Sequence, residues 1–127
     1  MNQALATSIG IAIAGAAGSL ARYGVGLAFK ATTNFPAAGT LCVNLVGAFA
    51  LGWVYSMTEG VIGGSTMWKL IIGVGFLGGF TTFSSMMFDA DKMMSEAAYW
   101  QMAGYLSASL FLGLVAVRLG VVLGKAM

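Results

Sequence analysis

The chain has 127 residues; 59% are hydrophobic, 8% are charged, none is histidine, and the formal net charge is +2. An ordinary soluble domain is about 25% charged, so a soluble globular domain is close to excluded, and so is a disordered or nucleic-acid-binding chain. An integral membrane protein remains, and four helices of roughly 20 apolar residues with short connections use the whole of 1–127 as one membrane domain.

The first predicted helix covers about residues 5–29, and Met1 to Ala21 carry no charged side chain. A secretory signal peptide needs a positive n-region, which Met1-Asn2-Gln3 lacks, so a retained helix is expected. Lys30 to Pro36 forms the first connection. The second helix is predicted over 37–57, again uncharged. Thr58 to Thr66, with Glu59 and Gly63-Gly64, reads as a loop. The third helix is predicted over about 67–94 and the fourth over about 97–124, with Asp89, Asp91, Lys92 and Glu96 clustered near the end of the third. Continuous apolar runs of this length favour helices over barrel strands, which are about ten residues long and alternate. The expected fold class is therefore all-α, and no internal repeat or low-complexity tract is visible.

An even number of spans puts both termini on one side of the membrane. Lys69, Arg118 and Lys125 then share the terminus side, and Arg22, Lys30 and Lys92 the other. Membrane orientation follows an excess of Lys and Arg on the cytoplasmic side, and here the two sides balance. Either one charge outweighs the rest, or the N-terminal amine decides, or copies insert both ways and pair antiparallel. Arg22 and Arg118 lie inside helices, each about 10 Å from a helix end at 1.5 Å per residue. At that depth an arginine can snorkel to the interface. It can also line a positive vestibule that concentrates an anion.

Small residues recur at four-residue spacing, as Gly10, Ala14 and Gly18 in the first helix, and the fourth has a similar row of Gly104, Ala108, Ala116 and Gly120, interrupted at Leu112. Such stripes let helix backbones approach closely. The second helix has Thr40, Asn44, Ala48 and Gly52 on one stripe. Asn44 is a full amide without another strong polar group in its segment. It suits an interhelical hydrogen bond, or its NH2 can face a permeating anion. Tyr105, Ser109 and Gly113 share a face of the fourth helix. Cys42 lies in an apolar run and reads as a small buried hydrophobe. The absence of histidine removes most zinc sites and histidine-based catalysis.

The densest signal is the run from Gly75 to Met86, near the middle of the third helix. Gly78-Gly79 weakens the helix, and Thr81, Thr82, Ser84 and Ser85 can replace lost backbone bonds. Broken backbone at membrane depth is tolerated only where protein or a water-filled cavity satisfies it. Transporters use such breaks to bind ions, with half-helix N-termini facing anions and freed carbonyls facing cations. The competing arrangement is an intact helix with a close-packing glycine pair. Phe80 and Phe83 flank the hydroxyls, and the positive edge of an aromatic ring can contact a small anion. Either ring also suits plain core packing.

Two of these stretches resemble a known family. Gly39-Thr40-Leu41-Cys42-Val43-Asn44 resembles a GTLxVN pattern, and Gly78-Gly79-Phe80-Thr81-Thr82-Phe83-Ser84 a GGxTTFS pattern. Both are patterns of the Fluc (CrcB) fluoride channels, and the length and weak charge bias agree with that family. The resemblance implies an antiparallel, dual-topology homodimer in the plasma membrane, with two fluoride pores along the subunit interface. It also implies a structural Na+ on the dimer axis, held by the backbone carbonyls of Gly78 and Thr81 from both chains. Asn44 and Phe83 match pore residues, Ser84 and Ser85 the hydroxyl track beside them, and Tyr105 and Ser109 polar pore positions on the fourth helix. Arg22 matches a vestibule arginine, and Asp89 stands where many members have Glu. The usual second pore phenylalanine is replaced by Met86, which has no ring edge to offer.

The expected function is passive fluoride export. HF crosses membranes neutral and ionises in a less acidic cytoplasm, and a conduit for F− then lets membrane voltage expel the anion. The main alternative is a four-helix cation/proton antiporter like the small multidrug resistance proteins. That mechanism needs a membrane-embedded acid, and the first two helices have none. A non-transporting scaffold would explain the glycine stripes but not the hydroxyl-rich break. An enzyme is not expected, because no nucleophile–base pair is visible.

Overall fold

The computed structural model describes residues 2–57 and 66–127. It has α1 (Gln3–Thr32), α2 (Ala37–Met57), α3 (66–80), α4 (Phe83–Ser95) and α5 (Tyr99–Ala126). The described residues contain no strand. Among the described residues, four helical stretches are long and apolar enough to cross a membrane, the third being α3 and α4 together over Thr66–Ser95. The chain is a multi-pass membrane protein. The loop expected at Thr58 to Thr66 lies outside the described residues, apart from Thr66, which starts α3.

Local chemistry explains where the helices stop. Asn2 caps α1, its Oδ1 accepting from the Leu5 N–H at 2.8 Å, which satisfies one of the orphan donors of the first turn. At the other end Thr33 N–H closes on the Phe29 carbonyl. Pro36 cannot donate to a preceding turn and stands just before α2. The turn after α4 is a Schellman motif: Ala98 N–H bonds the Met93 carbonyl and Ala97 N–H the Met94 carbonyl. Ala97 takes the left-handed conformation that this motif requires, with φ 56°.

The four spans pack in two pairs that skip a neighbour in sequence. α2 lies along α5, and α1 lies along α3. Both seams run on glycine. A Cβ on Gly52 would collide with the Val117 carbonyl, and one on Gly120 with the Phe49 carbonyl. A Cβ on Gly18 would collide with the Phe76 carbonyl. Backbone therefore meets backbone, and the gain is dispersion rather than the hydrophobic effect, because lipid tails are as apolar as leucine. A small side-chain core forms at one end, where Ala37, Met93 and Tyr105 are buried.

The middle of α3 is not an α-helix. Leu70–Leu77 forms a π-helix. The Gly78 N–H closes this stretch on the Gly73 carbonyl, five residues back, and also meets Gly75. Such wide turns are rare and gather at functional sites. Gly73 and Gly75 fit here because a Cβ would press on the Tyr55 ring and on Ile11 and Ala14 respectively.

Gly120→Ala is expected to lower stability by about 3 kcal/mol, the upper range for overpacking, because the blocking atom is backbone and cannot rotate away. Gly24→Ala, where a Cβ meets open space, should leave stability equal or slightly higher. Thermal unfolding in detergent micelles compares the two. Equal unfolding temperatures would refute the seam.

Candidate functional site

The break in the third span lies at Thr81 and Thr82, whose backbones are extended at φ −88°, ψ 158° and φ −152°, ψ 121°. The helix resumes at Phe83 because Thr82 is its N-cap: the Thr82 Oγ1 accepts from Ser85 N–H at 3.2 Å. Thr81 seals the end of α3 instead. Both its N–H and its Oγ1 donate to the Leu77 carbonyl, at 3.0 and 2.9 Å.

Asn44 on α2 completes the break. Its Nδ2 donates to the Thr82 carbonyl at 2.9 Å, and its Oδ1 accepts from the Thr82 N–H at 2.8 Å. The amide thus pairs with one residue of extended backbone as a neighbouring strand would. One turn along α2, Gly47 lets Thr81 sit directly on the helix, since a Cβ there would strike the Thr81 methyl. Asn44 is engaged within its own chain, and its amide nitrogen has a second hydrogen left over.

These bonds decide which carbonyls lose their helical partners. In an unbroken α-helix the Thr82 N–H would close on Gly78 and the Ser85 N–H on Thr81. Asn44 takes the first donor and the Thr82 hydroxyl the second. Gly78 is exposed. The described residues contain no group of three His, Cys, Asp or Glu side chains that could hold a metal. Neutral carbonyl oxygens of this kind suit a hard cation that has shed its water, so Gly78 and Thr81 fit the Na+ that the family pattern implies.

An open cleft of about 380 Å³ runs beside the break. Asn44, Phe83, Met86 and Ser109 line it together with Gly78 and Thr81. Phe83 is 71% exposed, so one of its faces or edges is available to the cleft or to a partner. Met86 lines the same cleft and also packs against the Ala37–Met93–Tyr105 core. Ser109 donates to the Tyr105 carbonyl at 2.7 Å. Ser84 and Ser85 lie on the other side of the break, in a second opening that also holds Lys30 and Lys92. Arg22 and Lys30 line a cavity of about 180 Å³ with Thr82 and Ser85.

Tyr105 stands apart from the cleft. It is buried, edge-on to Phe35 with ring centres 6.0 Å apart, and its hydroxyl donates to Asp89 Oδ2 at 3.2 Å. Thr40 donates to the same oxygen at 2.8 Å. Sequence reasoning did not join Thr40, Asp89 and Tyr105, because they come from three helices and no spacing links them. The role of Thr82 was also missed. A hydroxyl residue before the resumed helix is an N-cap signal, but the partnership with Asn44 has no trace in sequence.

The family model described as CrcB-like protein, Camphor Resistance (CrcB), matches residues 9–121. The chain belongs to this family. Among its CrcB relatives are proteins named as fluoride-specific ion channels. One, from Agrobacterium fabrum, is 40% identical over 117 residues, covering 91% of this chain and 93% of the relative. One from Gloeobacter violaceus is 38% identical over 122 residues, covering 94% and 97%. One from Listeria monocytogenes is 36% identical over 111 residues, covering 86% and 89%.

Asn44→Ala removes both partners of the Thr82 backbone. It is expected to destabilise the protein by about 1–3 kcal/mol, the cost of buried polar groups left unpaired. Asn44→Asp should be no better, since a carboxylate cannot donate to the Thr82 carbonyl. Thermal unfolding in micelles reads both, and stability unchanged from wild type would show that the pair does not hold the break.

Proposed function

We propose that this CrcB protein is a fluoride-selective ion channel and not an enzyme. The observation that carries the reading is the cleft at the broken third span. It gathers an amide, a hydroxyl and an exposed phenylalanine at membrane depth, with no ionised side chain among them. A small anion meets the second Asn44 N–H and the positive edge of a ring there, and no fixed charge holds it too tightly to leave. The names of its relatives support the same ion. Flux is passive and outward. HF enters neutral and ionises inside, and membrane voltage drives F− out, so neither ATP nor a proton carrier is needed.

The working unit is an antiparallel homodimer with two pores along the subunit interface. The balance of Lys and Arg across the two sides supports dual topology, and the exposed Phe83 and Gly78 support a partner against the cleft. Gly78 and Thr81 from both chains would hold a structural Na+, which joins the subunits on their axis. Asn44 keeps the break open, Phe83 offers its edge to the anion, and Ser84, Ser85 and Ser109 supply the hydroxyl track, while Tyr105, its hydroxyl given to Asp89, stands outside it. Met86 fills the space of a ring without its quadrupole, since a thioether is flexible and polarisable. The antiporter alternative is disfavoured, because the cleft contains no carboxylate to exchange protons.

Liposomes holding only this protein should release fluoride and not chloride. Phe83→Ile keeps the apolar bulk and loses the ring edge, so flux should fall by at least about 100-fold, as losing a transition-state contact of about 2.7 kcal/mol would give. The dimer should stay intact by size-exclusion chromatography. Met86→Phe should leave flux equal or higher. Wild-type release no faster than from empty vesicles would overturn the channel, and unchanged flux in Phe83→Ile would return that ring to packing.

C-terminal reporters active on opposite sides of the membrane should both give signal. Two lysines added within 58–66 should bias the population toward cytoplasmic termini. Signal from one reporter alone would refute dual topology.

A further inference from the structure

We infer that Arg22 is the C-terminal cap of the first half of the broken span, and that through this cap it positions the Gly78 and Thr81 carbonyls for their cation. This rests on the cation reading above. The Arg22 Nε donates to the Gly79 carbonyl at 3.0 Å. Ser19, one turn earlier on α1, reaches the same oxygen at 3.5 Å. The Gly79 carbonyl lies between the two freed carbonyls in sequence, and in an unbroken helix the Phe83 N–H would satisfy it.

The seat is rigid on both sides. A Cβ on Gly79 would collide with the Gly15 carbonyl, and one on Gly18 with the Phe76 carbonyl. Gly15, Gly18, Ser19 and Arg22 share one face of α1, so a single helix face both docks α3 and caps it. A positive charge at a helix C-terminus is favoured by the aligned peptide dipoles, and a bond from a guanidinium is about twice as strong as a neutral one.

The consequence is a division of labour among three carbonyls. Arg22 takes that of Gly79, and Asn44 and Thr82 divert the donors of the other two. Without the guanidinium, the Gly79 carbonyl keeps only the long 3.5 Å contact from Ser19 at membrane depth. The nearest remedy is to rewind the break, which turns the Gly78 and Thr81 oxygens back along the helix axis. Arg22 therefore acts on the cation without touching it. Its Nε is already committed to the backbone, so an anion in the neighbouring cavity meets at most the rest of the guanidinium.

The test uses the full chain in detergent micelles, dialysed to equilibrium at constant chloride with Na+ replacing N-methyl-D-glucamine. The wild-type unfolding temperature should climb with Na+. Arg22→Gln should need about tenfold more Na+ for half of that rise, the scale of one lost charge-assisted hydrogen bond. Arg22→Lys keeps the charge as a point donor without the planar fork, and should fall between the two. Gly10→Ala crowds Ile71 on the same seam; it should lower the temperature without moving the Na+ midpoint. A wild-type midpoint in Arg22→Gln, even with lost fluoride flux, would overturn the inference and make Arg22 an anion-facing residue. If Arg22→Gln does not fold, a wild-type midpoint in Arg22→Lys overturns it equally. A wild-type protein indifferent to Na+ would overturn the cation reading itself, which the wild-type curve alone reveals.

Discussion

A helix that stops inside a bilayer must find partners for the backbone groups it gives up, and the Asn44 amide supplies two of them. The hydrocarbon offers no water to take their place. Asn44 meets the Thr82 N–H and carbonyl together, so the extended residue is satisfied on both edges at once. Everything else at the site follows from that pairing. The Thr82 hydroxyl is turned to cap α4, the chain can restart as a helix at Phe83, and the Gly78 and Thr81 carbonyls are among those left without their usual donors. A single amide on α2 thereby determines the shape of a helix that is distant in sequence.

The glycines serve the same end by a different route. They do not provide flexibility here. They remove side chains from seams where one backbone must touch another, as at Gly52 with Val117 and Gly120 with Phe49. A chain with so little buried side-chain core gains its stability from close contact along two helix pairs. That arrangement brings α2 near enough to the break for a short side chain such as Asn44 to reach it. It also leaves large apolar residues outward, Phe83 and Phe88 among them, where lipid or a second subunit can cover them.

Charge is sparse, and its placement is economical. Asp89 accepts from both Thr40 and Tyr105, which ties three helices together at the end of the third span. Arg22 is spent on a backbone carbonyl. The middle of the cleft is left neutral, with dipoles, hydroxyls and a ring edge in place of ions. A neutral, partly polar passage fits a conduit better than an exchanger, because an exchanger has to store a proton on an acid.

By itself the amino-acid sequence determined the membrane class, the four spans and the position of the break. Each of these follows from composition along one dimension: uninterrupted apolar runs, charges at their ends, and a glycine pair followed by hydroxyls. Of the site residues expected from sequence, Asn44, Phe83, Met86 and Ser109 come together at one cleft, whereas Ser84, Ser85 and Tyr105 do not line it. What only the tertiary structure decided is how those residues are used. Nothing in the sequence says that Asn44 pairs with Thr82, that Arg22 caps Gly79, or that Tyr105 turns from the cleft to Asp89. The π-helical turn over Leu70–Leu77 is equally silent, since its residues would form an ordinary helix alone. Each of these features depends on which atom comes within about 3 Å of which backbone group when four helices pack. That distance is set by the glycine seams across the bundle, not by the neighbours of a residue along the chain.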